Sequence, residues 1–290
     1  MGQPDLAPLP ALLIDGLVKA ALAEDLGRAG DITTDTVVPA AARARGVLVA
    51  RKPGIVAGLD VALAAFRLLD PKVALEVWCS DGHEIGADGP IAAIAGGARP
   101  LLTAERVALN FLCHLSGIAT ATRAIVDAIA AFPVRICCTR KTTPGLRAVE
   151  KYAVRAGGGV NHRFGLDDAV LIKDNHIVVA GGIGPAVARA RLALGHMVKI
   201  EVEVDSLAQL DETLSAKADV ILLDNMTPAQ LREAVRHIAK RAITEASGNI
   251  TKATAPEIAA TGVDLISVGW ITHSAPILDI GLDFETGFEG

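Results

Sequence analysis

Val134-Arg135-Ile136-Cys137-Cys138-Thr139-Arg140-Lys141 is the stretch on which the fold turns. Its first five residues are short, largely apolar and suited to a strand, and they stop on a hydroxyl and two cations. The same grammar recurs down the second half of the chain. Val170-Leu171-Ile172 stops at Lys173-Asp174, Val198-Lys199-Ile200-Glu201-Val202 at Glu203 to Asp205, and Val220-Ile221-Leu222-Leu223 at Asp224-Asn225. Ile243-Thr244-Glu245-Ala246 stops at Ser247-Gly248-Asn249, and Leu265-Ile266-Ser267-Val268 at Gly269. Helical patterns separate these runs. Thr227-Pro228 reads as an N-cap followed by an N1 proline, and Ala255-Pro256-Glu257 opens another helix. Strand–helix units repeated at this spacing specify a parallel sheet with right-handed crossovers. Six such strands with helices on one side predict an α/β barrel rather than an open dinucleotide-binding sheet. No GxGxxG follows a first strand, and Gly181-Gly182-Ile183-Gly184 lies in a loop ahead of a helix, where it carries little weight.

In a barrel the C-terminal ends of the strands share one mouth. That places Arg140, Lys141, Lys173, Glu203, Asp224, Ser247 and Gly248 around a common site. His162 and Arg163 reach it from the loop Gly157-Gly158-Gly159-Val160-Asn161-His162-Arg163. The Gly-rich ends of the last two strands, Ser247-Gly248-Asn249 and Val268-Gly269, fall where barrels bind phosphate on backbone N–H groups. The whole chain has a formal charge of −5, so a cluster holding Arg140, Lys141, His162, Arg163 and Lys173 asks for an anionic partner. Arginine forks match carboxylates, and lysine serves phosphate as a point charge. Glu203 and Asp224 are then left to hold Mg²⁺ or ribose hydroxyls. Neither pairs with a histidine at metalloprotease spacing, so zinc is not indicated. The sum is a substrate that carries carboxylates together with a phosphorylated sugar. His176 and His273 are read as hydrogen-bonding or capping residues, and Cys137 and Cys138 as strand core.

The first half reads differently. Leu12–Leu26 has helical spacing and ends near Gly27, and Gly30 to Asp35 is a polar turn. Arg45–Arg51 and Val73–Trp78 alternate, and glycines punctuate the run to Gly97. Short strands with little helix predict an antiparallel sheet in a separate α+β unit. Thr103 is read as the N-cap of a helix to Leu112, with a second helix from Ile118 to Phe132 after Ser116-Gly117. At 290 residues the chain holds one large domain or two smaller ones. Mean hydropathy is +0.41, yet no apolar run approaches the roughly 20 residues of a membrane span, so no membrane partner is expected. The proline-rich first ten residues form a lead-in and lack a signal-peptide pattern. Four cysteines without a CxxC pair indicate reduced thiols and a cytoplasmic protein. Net acidity without basic–aromatic interleaving argues against nucleic acid as a partner.

These residues also carry a resemblance. Thr139-Arg140-Lys141-Thr142-Thr143-Pro144-Gly145, the triple-glycine segment ending at Asn161-His162-Arg163, and Leu171-Ile172-Lys173-Asp174-Asn175-His176 belong to it. So do Glu201 to Ser206, Leu222-Leu223-Asp224-Asn225, Ser247-Gly248-Asn249 and Val268-Gly269 with Thr272-His273-Ser274. Together they resemble the quinolinate phosphoribosyltransferases over nearly the whole chain, Glu24 to Leu282. Trp270, where a small residue is expected, and Asn249, where relatives can carry glycine, are the departures.

The resemblance implies phosphoribosyl transfer from phosphoribosyl pyrophosphate to quinolinate with decarboxylation, giving nicotinate mononucleotide, pyrophosphate and CO₂ in de novo NAD biosynthesis. It implies an open α+β sandwich domain over 1–112, joined by the C-terminal segment 271–290, and an incomplete parallel α/β barrel over 113–270. It implies a homodimer, open to higher assembly, in which Arg106 serves the partner's site. By the same carry-over Arg140, His162 and Arg163 hold the quinolinate carboxylates, and Lys141 and Lys173 lie between substrate and pyrophosphate. Glu203 and Asp224 face the ribose and its Mg²⁺, while Ser247, Gly248, Asn249, Val268 and Gly269 cradle the 5′-phosphate. Two other readings stay open: a phosphoribosyltransferase for another base, of the molybdenum-operon type, and a non-enzymatic barrel that binds an anionic metabolite.

Overall fold

The computed structural model describes residues 6–285. Residues 1–5 of the expected lead-in and 286–290 of the expected C-terminal segment lie outside the described residues. In chain order the strands are β1 (Arg43–Ala50), β2 (Gly54–Ile55), β3 (Ala74–Val77), β4 (Glu84–Ile85), β5 (Gly89–Gly97), β6 (Arg135–Cys137), β7 (Val170–Ile172), β8 (Ile200–Val204), β9 (Val220–Asp224), β10 (Ile243–Ser247), β11 (Leu265–Ser267) and β12 (Ile280–Phe284). Two compact units contain them: 1–123 with 143–158 and 274–290, and 124–142 with 159–273. Among the described residues no helix is long and apolar enough to cross a membrane.

The first unit holds an antiparallel sheet in the order β12-β1-β5-β3. The chain's end returns to it, with β12 running from Phe284 opposite Gly46 to Ile280 opposite Ala50. The helix Ala11–Leu26 buries Ile14, Val18 and Leu22, at the four-residue spacing of one helical face. Asp31 caps the short helix Ile32–Val37, accepting from the Thr34 amide at 3.0 Å, and so accounts for the polar turn.

The helix breaks read from the sequence are not there. One helix runs from Ala98 to Ala128, so Thr103 lies inside it, where its hydroxyl donates to Asp31 Oδ2 at 3.0 Å instead of capping. Gly117 serves close packing, not termination. A Cβ at this position would lie 2.2 Å from the Pro276 carbonyl oxygen and 2.8 Å from Ile277 Cα. A mid-helix glycine costs about 1 kcal/mol relative to alanine, and here the approach of the 276–278 segment requires it. The unit limits differ from the domain limits read from the sequence for the same reason. The long helix runs through 112/113 without interruption, and the helix Arg147–Ala156 packs with the first unit.

The second unit is the expected barrel in incomplete form. Its six strands are all parallel, in the order β6-β11-β10-β9-β8-β7, so β6 and β7 are open edges. Register decides what faces inward. Leu171 lies opposite Glu201, Glu203 opposite Leu222, Leu222 opposite Glu245, and Asp224 opposite Ser247. Side chains two apart share a face, so Glu201, Glu203, Leu222, Asp224, Glu245 and Ser247 all line one side of the sheet. The opposite side carries Ile200, Val202, Val204, Ile221, Leu223 and Ala246, all buried. These meet a layer of connecting helices whose own apolar residues, including Val187, Leu210, Leu231, Ala234 and Ile238, are buried.

The free edge of β6 holds the triple-glycine loop. Val160 N donates to Ile136 O at 2.8 Å, and Cys138 N donates to Val160 O at 3.2 Å. This short parallel bridge fixes where His162 and Arg163 enter the barrel.

Replacing Gly117 with alanine is expected to destabilise the protein by about 1–3 kcal/mol, the usual cost of overpacking. Urea unfolding with an unchanged m-value checks it. Unaltered stability would mean that the 276–278 segment yields freely.

Candidate active site

A cavity of about 710 Å³ opens at the C-terminal ends of the barrel strands. It is lined by Arg140, Lys141, His162, Arg163, Lys173, Glu203, Asp224, Ser247, Gly248, Asn249, Val268 and Gly269. The sequence-derived residues of this unit thus converge on one place. Arg106 is not among the lining residues; it stands exposed on the helix Ala98–Ala128 of the first unit.

At the rim, Lys173 Nζ donates to Glu203 Oε2 at 2.7 Å, joining the end of β7 to β8. The Lys173 amide donates to His176 Nδ1 at 2.9 Å, so His176 caps the helix Asp174–Ala180, as its sequence position suggested. Asp224 Oδ2 accepts from Asn225 Nδ2 at 2.6 Å. Gly248 must be glycine: its φ is +115°, and a Cβ would lie 2.3 Å from Asn225 Oδ1. Trp270 Nε1 donates to Ile250 O at 2.9 Å and clips the 248–250 turn to the segment after β11. Thr272 Oγ1 donates to Lys141 O at 2.7 Å and ties down the end of the Thr139-Arg140-Lys141 turn. Glu203 and Asp224 lie on adjacent strands on the inward face, a donor set that suits Mg²⁺ shared with phosphate oxygens.

The floor is electrostatically tense. Arg163 Nη1 donates to Ala169 O at 3.0 Å, while the Nε atoms of Arg163 and Arg140 are buried without a hydrogen-bond partner among the described residues. Burial, and then the charge of Arg140, hold the Arg163 guanidinium below its ordinary pKa. Two guanidiniums crowded together with buried donors to spare form a receptor for an anion with more than one carboxylate oxygen.

His162 faces two buried acids. Its Nε2 lies 2.9 Å from Glu201 Oε2 and 3.7 Å from Glu245 Oε1. Its Nδ1 accepts from the Arg163 amide at 2.8 Å, so the neutral ring carries its proton on Nε2 and donates it toward the acids. Burial, and then the charge of Glu201, push Glu245 up to about 7. The sequence reading named neither Glu201 nor Glu245 as a site residue. Their signal was alternation: in Ile200-Glu201-Val202-Glu203-Val204 every second residue is acidic, which marks a polar interior rather than a solvated face. Thr139, Asn225, Ser267 and His273 also line the cavity and were not assigned to it, and Trp270 stands at the rim where the sequence placed it.

Residues 31–116 match the family model described as quinolinate phosphoribosyl transferase, N-terminal domain, and residues 118–283 match the C-terminal domain of the same family. The chain belongs to the quinolinate phosphoribosyltransferase family. It is 47% identical to the carboxylating nicotinate-nucleotide pyrophosphorylase of Mycobacterium leprae over 274 residues, 92% of this chain and 95% of that one. A probable carboxylating nicotinate-nucleotide pyrophosphorylase of Bacillus subtilis is 47% identical over 264 residues, 90% of this chain and 89% of that one. Among solved structures, the nicotinate-nucleotide pyrophosphorylase of Francisella tularensis superposes with a TM-score of 0.92 at 38% identity, covering 98% of this chain and all of that one.

The raised pKa of Glu245 has a consequence for stability. The folded state retains a proton that an unfolded glutamate releases near its ordinary value of 4.5, so folding stability falls as pH rises from about 4.5 to about 7. Glu245→Gln removes that slope. Denaturant midpoints compared across this pH range check it, and parallel curves for the two proteins would contradict the assignment.

Proposed function

We propose that this chain transfers the phosphoribosyl group of phosphoribosyl pyrophosphate to quinolinate and releases CO₂, forming nicotinate mononucleotide and pyrophosphate for NAD biosynthesis. The observation that carries this reading is the Arg140–Arg163 pair, with two buried and unpartnered Nε donors on the cavity floor. A pyridine with adjacent carboxylates supplies the acceptors this pair lacks. The relatives from M. leprae and B. subtilis are named for the carboxylating nicotinate-nucleotide activity, which supports the same substrate.

We assign the roles as follows. Arg140 and Arg163 hold the quinolinate carboxylates. His162, with both ring nitrogens turned to protein partners, fixes Arg163 from below through the Arg163 amide. Lys141 and Lys173 neutralise charge between quinolinate and the pyrophosphate group. Ser247, Gly248, Asn249, Val268 and Gly269 receive the 5′-phosphate on backbone N–H groups and a hydroxyl. Glu203 and Asp224 would hold Mg²⁺, whose charge would offset that of the departing pyrophosphate.

As pyrophosphate leaves, the ribose gains oxocarbenium character. Glu203, on the same wall, stabilises that charge as a fixed carboxylate. The pyridine nitrogen then forms the bond to C1′, and its positive charge stabilises the electron pair that the departing carboxylate leaves on the neighbouring ring carbon. No covalent nucleophile is required. Arg106, exposed on a helix of the other unit, is available to the site of a second copy, and we propose a homodimer on that basis, placed in the cytoplasm by its free cysteines.

Arg140→Ala and Lys173→Ala are each expected to lower kcat/KM by at least ~100-fold, the usual loss for a preorganised charge contact, while circular dichroism stays native. The primary assay is pyrophosphate and CO₂ release from quinolinate with phosphoribosyl pyrophosphate and Mg²⁺, with nicotinate in parallel. Equimolar release from quinolinate is the expected result. Turnover of nicotinate in its place would overturn the dicarboxylate assignment.

A further inference from the structure

The established chemistry of the family leaves one atom to be placed. When CO₂ leaves the pyridinium ring, the carbon that carried it must receive a proton. The cavity floor contains a group built to hold one.

Glu245 sits on β10, on the inward face and two residues before Ser247, and it lines the cavity at 2% exposure. The groups facing it are Glu201 from β8, His162 from the triple-glycine loop, Cys137 from β6 and Ser267 from β11; the neighbouring position on β9 is the apolar Leu222. The metal-capable atoms of His162, Glu201 and Glu245 all lie within 4.8 Å of one another. Oε1 of Glu201 and Oε1 of Glu245 are both buried and have no hydrogen-bond partner among the described residues.

A bound cation is one way to satisfy such a cluster, but the imidazole argues against it. The Arg163 amide occupies Nδ1, so Nε2 bears the hydrogen and offers no lone pair to a metal. The other way is a proton. Two buried carboxylates this close cannot both stay ionised. The single N–H of His162 reaches Glu201 at 2.9 Å and Glu245 only at 3.7 Å, so Glu245 is the less supported of the two and keeps the proton. Cys137 Sγ lies 3.9 Å from Glu245 Oε2, on the other carboxyl oxygen. Oε1, the oxygen without a hydrogen-bond partner among the described residues, is thus left to carry the proton at the cavity. The arginines that line the same cavity cannot serve as donors, because guanidinium does not lose its proton in proteins.

We propose that Glu245 is the acid that protonates the ring carbon vacated by CO₂. The inference rests on the quinolinate reading given above. The bond between that carbon and its carboxylate breaks, and the electron pair stays on the carbon beside the cationic nitrogen. As that bond breaks, the pair takes the Glu245 proton as a new C–H bond and the O–H pair returns to the carboxyl oxygen, so that proton transfer accompanies the loss of CO₂. Glu245 is left as a carboxylate and regains its proton from water as product leaves. Glu201 and His162 act as positioning residues: the charge of Glu201 disfavours ionisation of Glu245 between turnovers.

The test separates the two chemical steps in a single turnover. Glu245→Gln keeps the shape of the side chain and removes the acid. Pyrophosphate release should stay within about threefold of wild type, while CO₂ release should slow by at least ~100-fold, the scale of general acid catalysis. A mononucleotide that retains both carboxylates should accumulate and be visible by chromatography and mass spectrometry. CO₂ appearing in step with pyrophosphate in Glu245→Gln would overturn the proposal. Wild-type protein gives an arm that needs no variant to fold. Between about pH 6 and about pH 8 the CO₂ step should slow as Glu245 ionises, with the pyrophosphate step unaffected. Two steps with the same pH dependence would likewise overturn it. Failure of the wild type to release either product from quinolinate would instead strike down the reading of the substrate.

Discussion

Alternation along a strand, locked by register across a parallel sheet, is the constraint from which the site follows. Side chains of a strand point alternately to the two faces, and a slip of one residue exchanges the faces completely. In β8 such a slip would bring Ile200, Val202 and Val204 into the cavity and press Glu201 and Glu203 against the helices. The buried outward residues of β8, β9 and β10 forbid it, because each loses its packing against the connecting helices. The polar interior is therefore held in place by apolar contacts on the opposite face. The same pairing that sets Glu203 opposite Leu222 and Asp224 opposite Ser247 delivers the site residues to one mouth.

A polar interior raises a second problem, which is the burial of charge. The cavity meets it in two ways. At the rim, where water has access, Lys173 and Glu203 form an ordinary ion pair. On the floor, Arg140 and Arg163 crowd each other with unpartnered donors, and Glu201 and Glu245 leave oxygens unmatched. A folded chain tolerates such groups where a ligand or a proton completes them. The floor is strained in its electrostatics and not in its backbone: the left-handed residues Asn225, Gly248 and Asn249 all lie at strand ends on the rim.

Loops hold the remaining parts, and each is tied to the sheet by a specific hydrogen bond. Val160 bridges to the free edge of β6, Thr272 holds the turn after that strand, and Trp270 holds the turn after β10. The Trp270 contact gives a physical role to the residue that departs from the family pattern. The indole reaches across to a backbone carbonyl, a contact that a small side chain cannot make.

Read alone, the amino-acid sequence determined the repeating strand–helix order, the parallel sheet, the cationic strand ends and the acids Glu203 and Asp224. Each of these is local: a short apolar run, its polar stop and a cap lie within a few residues of one another. It also carried the acidic alternation of β8, whose meaning depends on which face turns inward. Only the tertiary structure decided three matters. The helix through Gly117 continues because a distant segment, 276–278, packs against it, and no local signal reports that approach. The barrel stays open between β6 and β7 because pairing across a sheet is set by partners far apart in the chain. Glu201 and His162 come to face Glu245, whose pKa is pushed up because burial and mutual distance govern ionisation, and neither exists before the chain has folded.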